Sequence, residues 1–195
     1  MAKIKICGLK RLEDISYVNK LKPDYVGFIL TNGYKRSIDM QQLRRLRGRL
    51  SADIKAVGVF VNESSDIVNA LVKMQLIDIV QLHGNESVDY VKSINAPVIK
   101  ALRPEQFSMA EEYAKHADFL LFDSGTGSGK AFDWSKIPKT NAKFFLAGGL
   151  DAGNLSLAIK TVSPYGVDLS SAVEIEGKKD FEKIKEVIEI ARNTK

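Results

Sequence analysis

The one cysteine of the sequence, Cys7, ends the alternating run "KIKIC" and stands directly before Gly8. A lone cysteine forms no internal disulfide, and the two histidines, His83 and His116, lie too far apart for the usual Cys/His zinc spacing. What remains is a buried filler or a working thiol, and the surroundings of Cys7 have to decide between them. Other groups able to do chemistry stand in comparable places. Arg36 follows the run "YVGFIL", Gln81 and His83 belong to "IDIVQLH", and Asp123 ends "DFLLFD". Gly148 and Gly149 end "KFFLAGG", while Asp168, Ser170 and Ser171 fall in "YGVDLSS". A thiol, carboxylic acids, an arginine and small-residue turns make a competent set if the fold gathers them.

The elements that would gather them are legible as a repeat. Short apolar runs ("KIKIC", "YVGFIL", "IKAVGVFV", "IDIVQLH", "PVIKALR", "DFLLFD", "KFFLAGG", "YGVDLSS") alternate with helical patterns. The helices are expected near 13–21, 39–50, 64–74, 86–94, 107–117, 151–162 and 180–193, with a shorter one around 134–138. Strands that are apolar on both faces and separated by helices call for a parallel sheet. Eight units predict a single compact (β/α)8 barrel over residues 1–195. An open doubly wound sheet is the alternative, but no glycine-rich dinucleotide fingerprint follows the first strand. In such a barrel the strand C-termini and following loops form the catalytic face. Cys7, Arg36, Gln81, His83, Asp123, Asp168, Ser170 and Ser171 would then converge on one mouth, which turns the reading of Cys7 toward a working thiol.

Charge narrows the ligand class. At 195 residues, 45% hydrophobic and 27% charged with a formal charge of +5, the chain suits a globular domain with an anionic partner. In the basic segment "QQLRRLRGRL", Leu43, Leu46 and Leu50 recur at helical spacing, so the arginines read as a solvated helix face. No aromatic residues interleave with them as stacking platforms, and no nucleic-acid partner is expected. "MAKIKICG" lacks the apolar stretch of a signal peptide, and no segment approaches a membrane span, so a cytoplasmic protein is expected. The sequence leaves the oligomeric state open, a homodimer included.

A small phosphorylated ligand fits the last quarter of the chain. "LAGGLDAGNL" leads from the seventh strand into a helix with apolar Leu155, Ala158, Ile159 and Val162, whose first backbone N–H groups are expected to face a ligand. "DLSSAVEIEGKKD" supplies a second amide-rich turn, and turns after strands 7 and 8 form the recurrent phosphate site of these barrels. Gly148, Gly149, Ser170 and Ser171 are the expected phosphate ligands. "FDSGTGSGKAFDW" is not a P-loop, because Ser124 stands where the first glycine belongs and Ala131 where Ser or Thr belongs. It reads as a flap over the mouth, with Gly129 available for close backbone approach to the phosphate.

Taken together, "KICG", "VGVF", "QLHG", "LLFDS" with "FDW" downstream, "LAGGL" and "DLSSAVE" followed by "GKKD" resemble the phosphoribosylanthranilate isomerase family of tryptophan biosynthesis. The resemblance spans nearly the whole chain. It implies a cofactor-free, metal-free Amadori rearrangement of N-(5-phosphoribosyl)anthranilate. In that resemblance Cys7 matches the general base, Asp123 the general acid and Arg36 the residue holding the anthranilate carboxylate. Gln81, His83 and Asp168 are expected to contact substrate, with backbone bracing as the alternative for His83 and Asp168. The chain departs from the family pattern at Tyr34, where serine is usual, at Ala172, where glycine is usual, and at Glu176, where proline is usual. Two other functions compete: an aminoaldose isomerase of histidine synthesis, expected to carry aspartate in place of Cys7, and a non-catalytic phosphosugar-binding barrel, which would have no use for Cys7 with Asp123.

Overall fold

The computed structural model describes residues 1–124 and 133–194. Eight parallel strands close on themselves in chain order: β1 (Lys3–Cys7), β2 (Tyr25–Ile29), β3 (Lys55–Phe60), β4 (Ile79–Leu82), β5 (Val98–Leu102), β6 (Phe119–Phe122), β7 (Phe144–Leu146) and β8 (Gly166–Leu169). Pairing of β1 with β8 completes the (β/α)8 barrel, as the eightfold repeat predicts. Seven helices are described: α1 (Leu12–Leu21), α2 (Met40–Arg47), α3 (Ser65–Lys73), α4 (Val88–Lys92), α5 (Ala110–Tyr113), α6 (Leu155–Val162) and α7 (Phe181–Asn193).

The period of two in a strand sorts each residue to one of two cores. Outward-facing residues such as Ile4, Ile6, Val26, Phe28, Val80 and Val167 pack with the helices. Inward-facing Tyr25, Val57, Ile79, Ile99, Leu121 and Phe145 fill the barrel. Carried to the strand ends, the same alternation turns Lys5 and Cys7, Gln81 and His83, Asp123, and Asp168 inward. Polar groups there sit above an apolar plug, which fixes their height and keeps the mouth dry from below.

The helices depart from expectation at their starts. The segment expected as a helix from residue 107 opens instead as a 3-10 turn at Pro104–Met109 before α5, with proline at its first position, where a missing N–H costs nothing. The segment expected as a helix from 151 starts at Leu155: the Asp151 carboxylate accepts from the N–H groups of Gly153 (2.9 Å) and Asn154 (3.0 Å). Those two amides, which precede the helix, are therefore occupied by a side chain. In α2, Leu43 and Leu46 are buried while Arg44 and Arg45 face solvent, the division their spacing predicts.

After β8 the chain adds an element the sequence reading did not contain. A 3-10 turn, Ser171–Val173, leads into a two-stranded antiparallel hairpin, β9 (Glu174–Ile175) and β10 (Lys178–Lys179). Its two loop residues, Glu176 (φ 50°) and Gly177 (φ 74°), both lie in the left-handed region that suits a tight hairpin. Proline, locked near φ −65°, could not take the Glu176 conformation. The departure at Glu176 thus goes with this turn.

Candidate active site

The barrel mouth holds a cavity of about 340 Å³. Cys7, Arg36, Gln81, His83, Asp123, Gly148, Gly149, Asp168, Ser170 and Ser171 all line it. The structure thus brings together every candidate residue except Gly129, which lies outside the described residues with the rest of the expected flap.

Cys7 owes its place to the strand beside it. Cys7 and Gly27 are register partners, and a Cβ on Gly27 would stand 2.6 Å from the Cys7 Sγ. Only glycine leaves room for the thiol, which is 7% exposed. One turn deeper, Lys5 is completely buried, with its Nζ 2.7 Å from Asp168 Oδ2 across the β1–β8 pairing. Burial alone would strip the Lys5 proton, but Asp168 and Cys7 outweigh it and hold the ammonium form. Burial pushes the Cys7 thiol up, and the opposing pull of Lys5 and Lys179 does not overcome it. The resting site therefore carries a thiol flanked by cations that would receive a thiolate. Asp168 Oδ1 is buried and has no hydrogen-bond partner among the described residues.

Opposite the thiol, three side chains form a row. Gln81 Nε2 lies 2.9 Å from His83 Nδ1, and His83 Nε2 lies 3.2 Å from Asp123 Oδ2. With the Gln81 amide donating, His83 Nδ1 accepts and its Nε2–H points at the Asp123 carboxyl. Gly148 permits the strand-7 turn to close on this group: its φ is 81°, and a Cβ there would meet Ser124 N at 2.4 Å and Asp123 Oδ1 at 2.7 Å. Gly149 follows with φ 69°.

Arg36 crosses the mouth above Gly8, where a Cβ would stand 2.5 Å from the arginine Cδ. Its Nε and Nη2 donate to Glu174 Oε1 (2.6 Å) and Oε2 (2.7 Å). Lys179 Nζ reaches the same Oε1 at 2.8 Å and also donates to the Ser170 carbonyl at 2.9 Å. Burial would raise the Glu174 carboxyl, but Arg36 and Lys179 bring it down to about 2. Ser170 Oγ donates to the Cys7 carbonyl at 3.1 Å, tying the turn after β8 to the strand that carries the thiol. Lys5, Glu174 and Lys179 are the members that the reading of the sequence missed. The first could have been found by alternation, since it shares a strand face with Cys7. The other two needed the hairpin.

Among the described residues no group of three or more His, Cys, Asp and Glu side chains could hold a metal ion, and no helix is long and apolar enough to cross a membrane.

A family model described as N-(5'phosphoribosyl)anthranilate (PRA) isomerase matches residues 4–190. An N-(5'-phosphoribosyl)anthranilate isomerase of Endomicrobium trichonymphae is 46% identical over 99% of this chain and 100% of its own length. Among solved structures, the phosphoribosyl anthranilate isomerase of Thermotoga maritima superposes with a TM-score of 0.87 at 33% identity, covering 98% of this chain and 99% of that one. A phosphoribosyl anthranilate isomerase solved with reduced 1-(o-carboxyphenylamino)-1-deoxyribulose 5-phosphate gives 0.85 at 32% identity, covering 98% and 99%. Sequence, closed barrel and full-length coverage agree, and the chain belongs to the N-(5'-phosphoribosyl)anthranilate isomerase family.

Proposed function

We propose a division of labour at the mouth for the family's reaction, the isomerisation of N-(5-phosphoribosyl)anthranilate to 1-(2-carboxyphenylamino)-1-deoxyribulose 5-phosphate in tryptophan synthesis. The Asp123 carboxyl donates a proton to the furanose ring oxygen, and the C1–O bond breaks to leave a protonated Schiff base. That cation acidifies the C2 hydrogen. Cys7, after giving its own proton to solvent, removes it as thiolate, giving an enolamine whose C2 hydroxyl proton is lost as C1 is protonated, which yields the ketone. No net proton is gained or lost, and the C2 hydrogen is replaced by one at C1.

The supporting geometry is the placement of Cys7 and Asp123 on one cavity, with a different electrostatic neighbour for each. Lys5 and Lys179 lie beside the sulfur and lower the cost of its anionic form. His83 holds Asp123 and is held in turn by Gln81, so the acid is aimed before substrate arrives. Arg36 takes the anthranilate carboxylate, and Asp168, through its unpartnered Oδ1, accepts a hydrogen bond from a substrate hydroxyl or amine. The turns at Gly148, Gly149, Ser170 and Ser171 hold the phosphate, with Gly129 as a further contact. A charged phosphorylated metabolite does not cross membranes freely, which supports a cytoplasmic enzyme.

The test is the loss of anthranilate-type fluorescence when the purified protein meets freshly made phosphoribosylanthranilate, with Cys7→Ala and Asp123→Asn run beside it. Turnover by the parent chain alone supports both roles. Undiminished turnover by either variant removes the role of that residue.

A further inference from the structure

We infer that Glu174 and Lys179, the cross-strand pair of the β9–β10 hairpin, are positioning residues for Arg36: Glu174 fixes the guanidinium from behind, and Lys179 keeps the cluster cationic toward the cavity. The inference deepens the carboxylate-binding reading of Arg36 and rests on it.

The hairpin makes the pair. Glu174 and Lys179 are direct partners in its antiparallel register, so their side chains leave from the same face. Both are buried, with side chains 6% and 1% exposed. The two successive positive-φ residues of the turn set this register, and Arg11 Nη2 donates to the Lys179 carbonyl at 2.9 Å, pinning the hairpin to α1.

From this base Glu174 takes two parallel hydrogen bonds from Arg36, through Nε and Nη2. A bidentate contact fixes the plane of the guanidinium as well as its distance. It leaves Nη1 and the outer hydrogen of Nη2 as the edge available to an incoming carboxylate, on a side chain whose stem is already held against Gly8. Rotamer freedom that a loose arginine would lose on binding is lost before the ligand arrives.

Charge explains the lysine. Arg36 with Glu174 alone is a neutral pair, a poor receptor for an anion. Lys179 shares Oε1 with Arg36; burial pulls its pKa down and Glu174 opposes that, and in its ammonium form it puts two cations around one carboxylate, which leaves the cluster net positive. The same Lys179 bonds the Ser170 carbonyl, so the turn expected to hold phosphate and the arginine expected to hold carboxylate share one brace.

The test is a double-mutant cycle in steady-state kinetics, with inhibition by inorganic phosphate measured in parallel. Glu174→Gln is expected to raise KM for phosphoribosylanthranilate by about tenfold while kcat stays within about twofold, because only ground-state positioning is lost. The phosphate inhibition constant should move less than KM, because Lys179 keeps its bond to the Ser170 carbonyl. In an Arg36→Ala background the same substitution should add nothing to KM. An unchanged KM in Glu174→Gln, or an equal rise in both backgrounds, overturns the positioning role while Arg36 keeps its own. A normal KM in Arg36→Ala removes the carboxylate reading itself, a separate result that takes the inference with it. Should Glu174→Gln not fold, Glu174→Asp decides: it keeps the charge but is one methylene short, and a normal KM for it counts against the inference in the same way.

Discussion

Among the described residues Lys5 and Lys100 are wholly buried, and their partners are treated in opposite ways. Lys100 points outward from β5, and its Nζ meets Glu86 Oε2 and the Gly84 carbonyl, each at 2.7 Å. Glu86 is complete: its Oε1 accepts from the Asn62 N–H at 2.8 Å, and both oxygens accept from the Gly84 N–H. Lys5 points inward from β1 to Asp168, where Oδ2 is paired and Oδ1 is not. The first network closes on itself and locks the loops after β3 and β4. The second leaves one acceptor at the cavity and one cation beside the thiol. A buried ion pair that satisfies all its valences is architecture, whereas one that leaves a valence toward a cavity is prepared for a ligand.

Substitutions can break that contrast. Lys100→Met should cost about 3–5 kcal/mol of stability in urea unfolding by stranding a buried carboxylate, with kcat of the folded protein within about twofold. A large loss of kcat at unchanged stability would make this pair functional after all. Lys5→Met should do the reverse, lowering kcat by about 100-fold as the thiolate loses its nearest cation, with a smaller fall in melting temperature than Lys100→Met. Equal activity would place Lys5 with Lys100 as structural.

Smaller effects sharpen the comparison. Gly27→Ala puts a methyl against the sulfur and should cost about tenfold in kcat through displacement of the base. A parent-like kcat would show that β1 and β2 can part without cost. The smallest effect on stability is expected for Glu174, whose side chain faces Arg36 and Lys179. Its folded-state value of about 2 lies below its ordinary 4.5, so its stabilising contribution is complete above pH 4.5 and is lost as pH falls toward 2. Melting curves across that window should slope less for Glu174→Gln than for the parent chain, and equal slopes would mean that the Arg36–Glu174 contact adds no stability.

The contrast also marks what was legible in the sequence. The eight strands were, because continuous apolar runs between amphipathic segments fit only a covered parallel sheet. The expected site residues were found by applying one rule, that chemistry sits at strand C-termini. Lys5 escaped because "KIKIC" reads as a strand with two solvated lysines, and nothing nearby announces the carboxylate that pays for burying one. Glu174 and Lys179 escaped because a hairpin of two-residue strands has no periodicity to detect. The start of α6 was misplaced because Asp151 competes with the helix for its own amides, a choice made by local side-chain geometry rather than pattern.

The Lys5–Asp168 pair joins residues 163 positions apart, on the first strand and the last. A growing chain therefore exposes Cys7 early but cannot assemble the surroundings of that cysteine until residue 168 has left the ribosome. Barrel closure, a contact of very long sequence separation and correspondingly slow to form, is also the event that gives Lys5, on the same strand as Cys7, its buried counter-ion. Chains terminated before β8 carry the thiol and Lys5 on one strand but lack both Asp168 and Lys179.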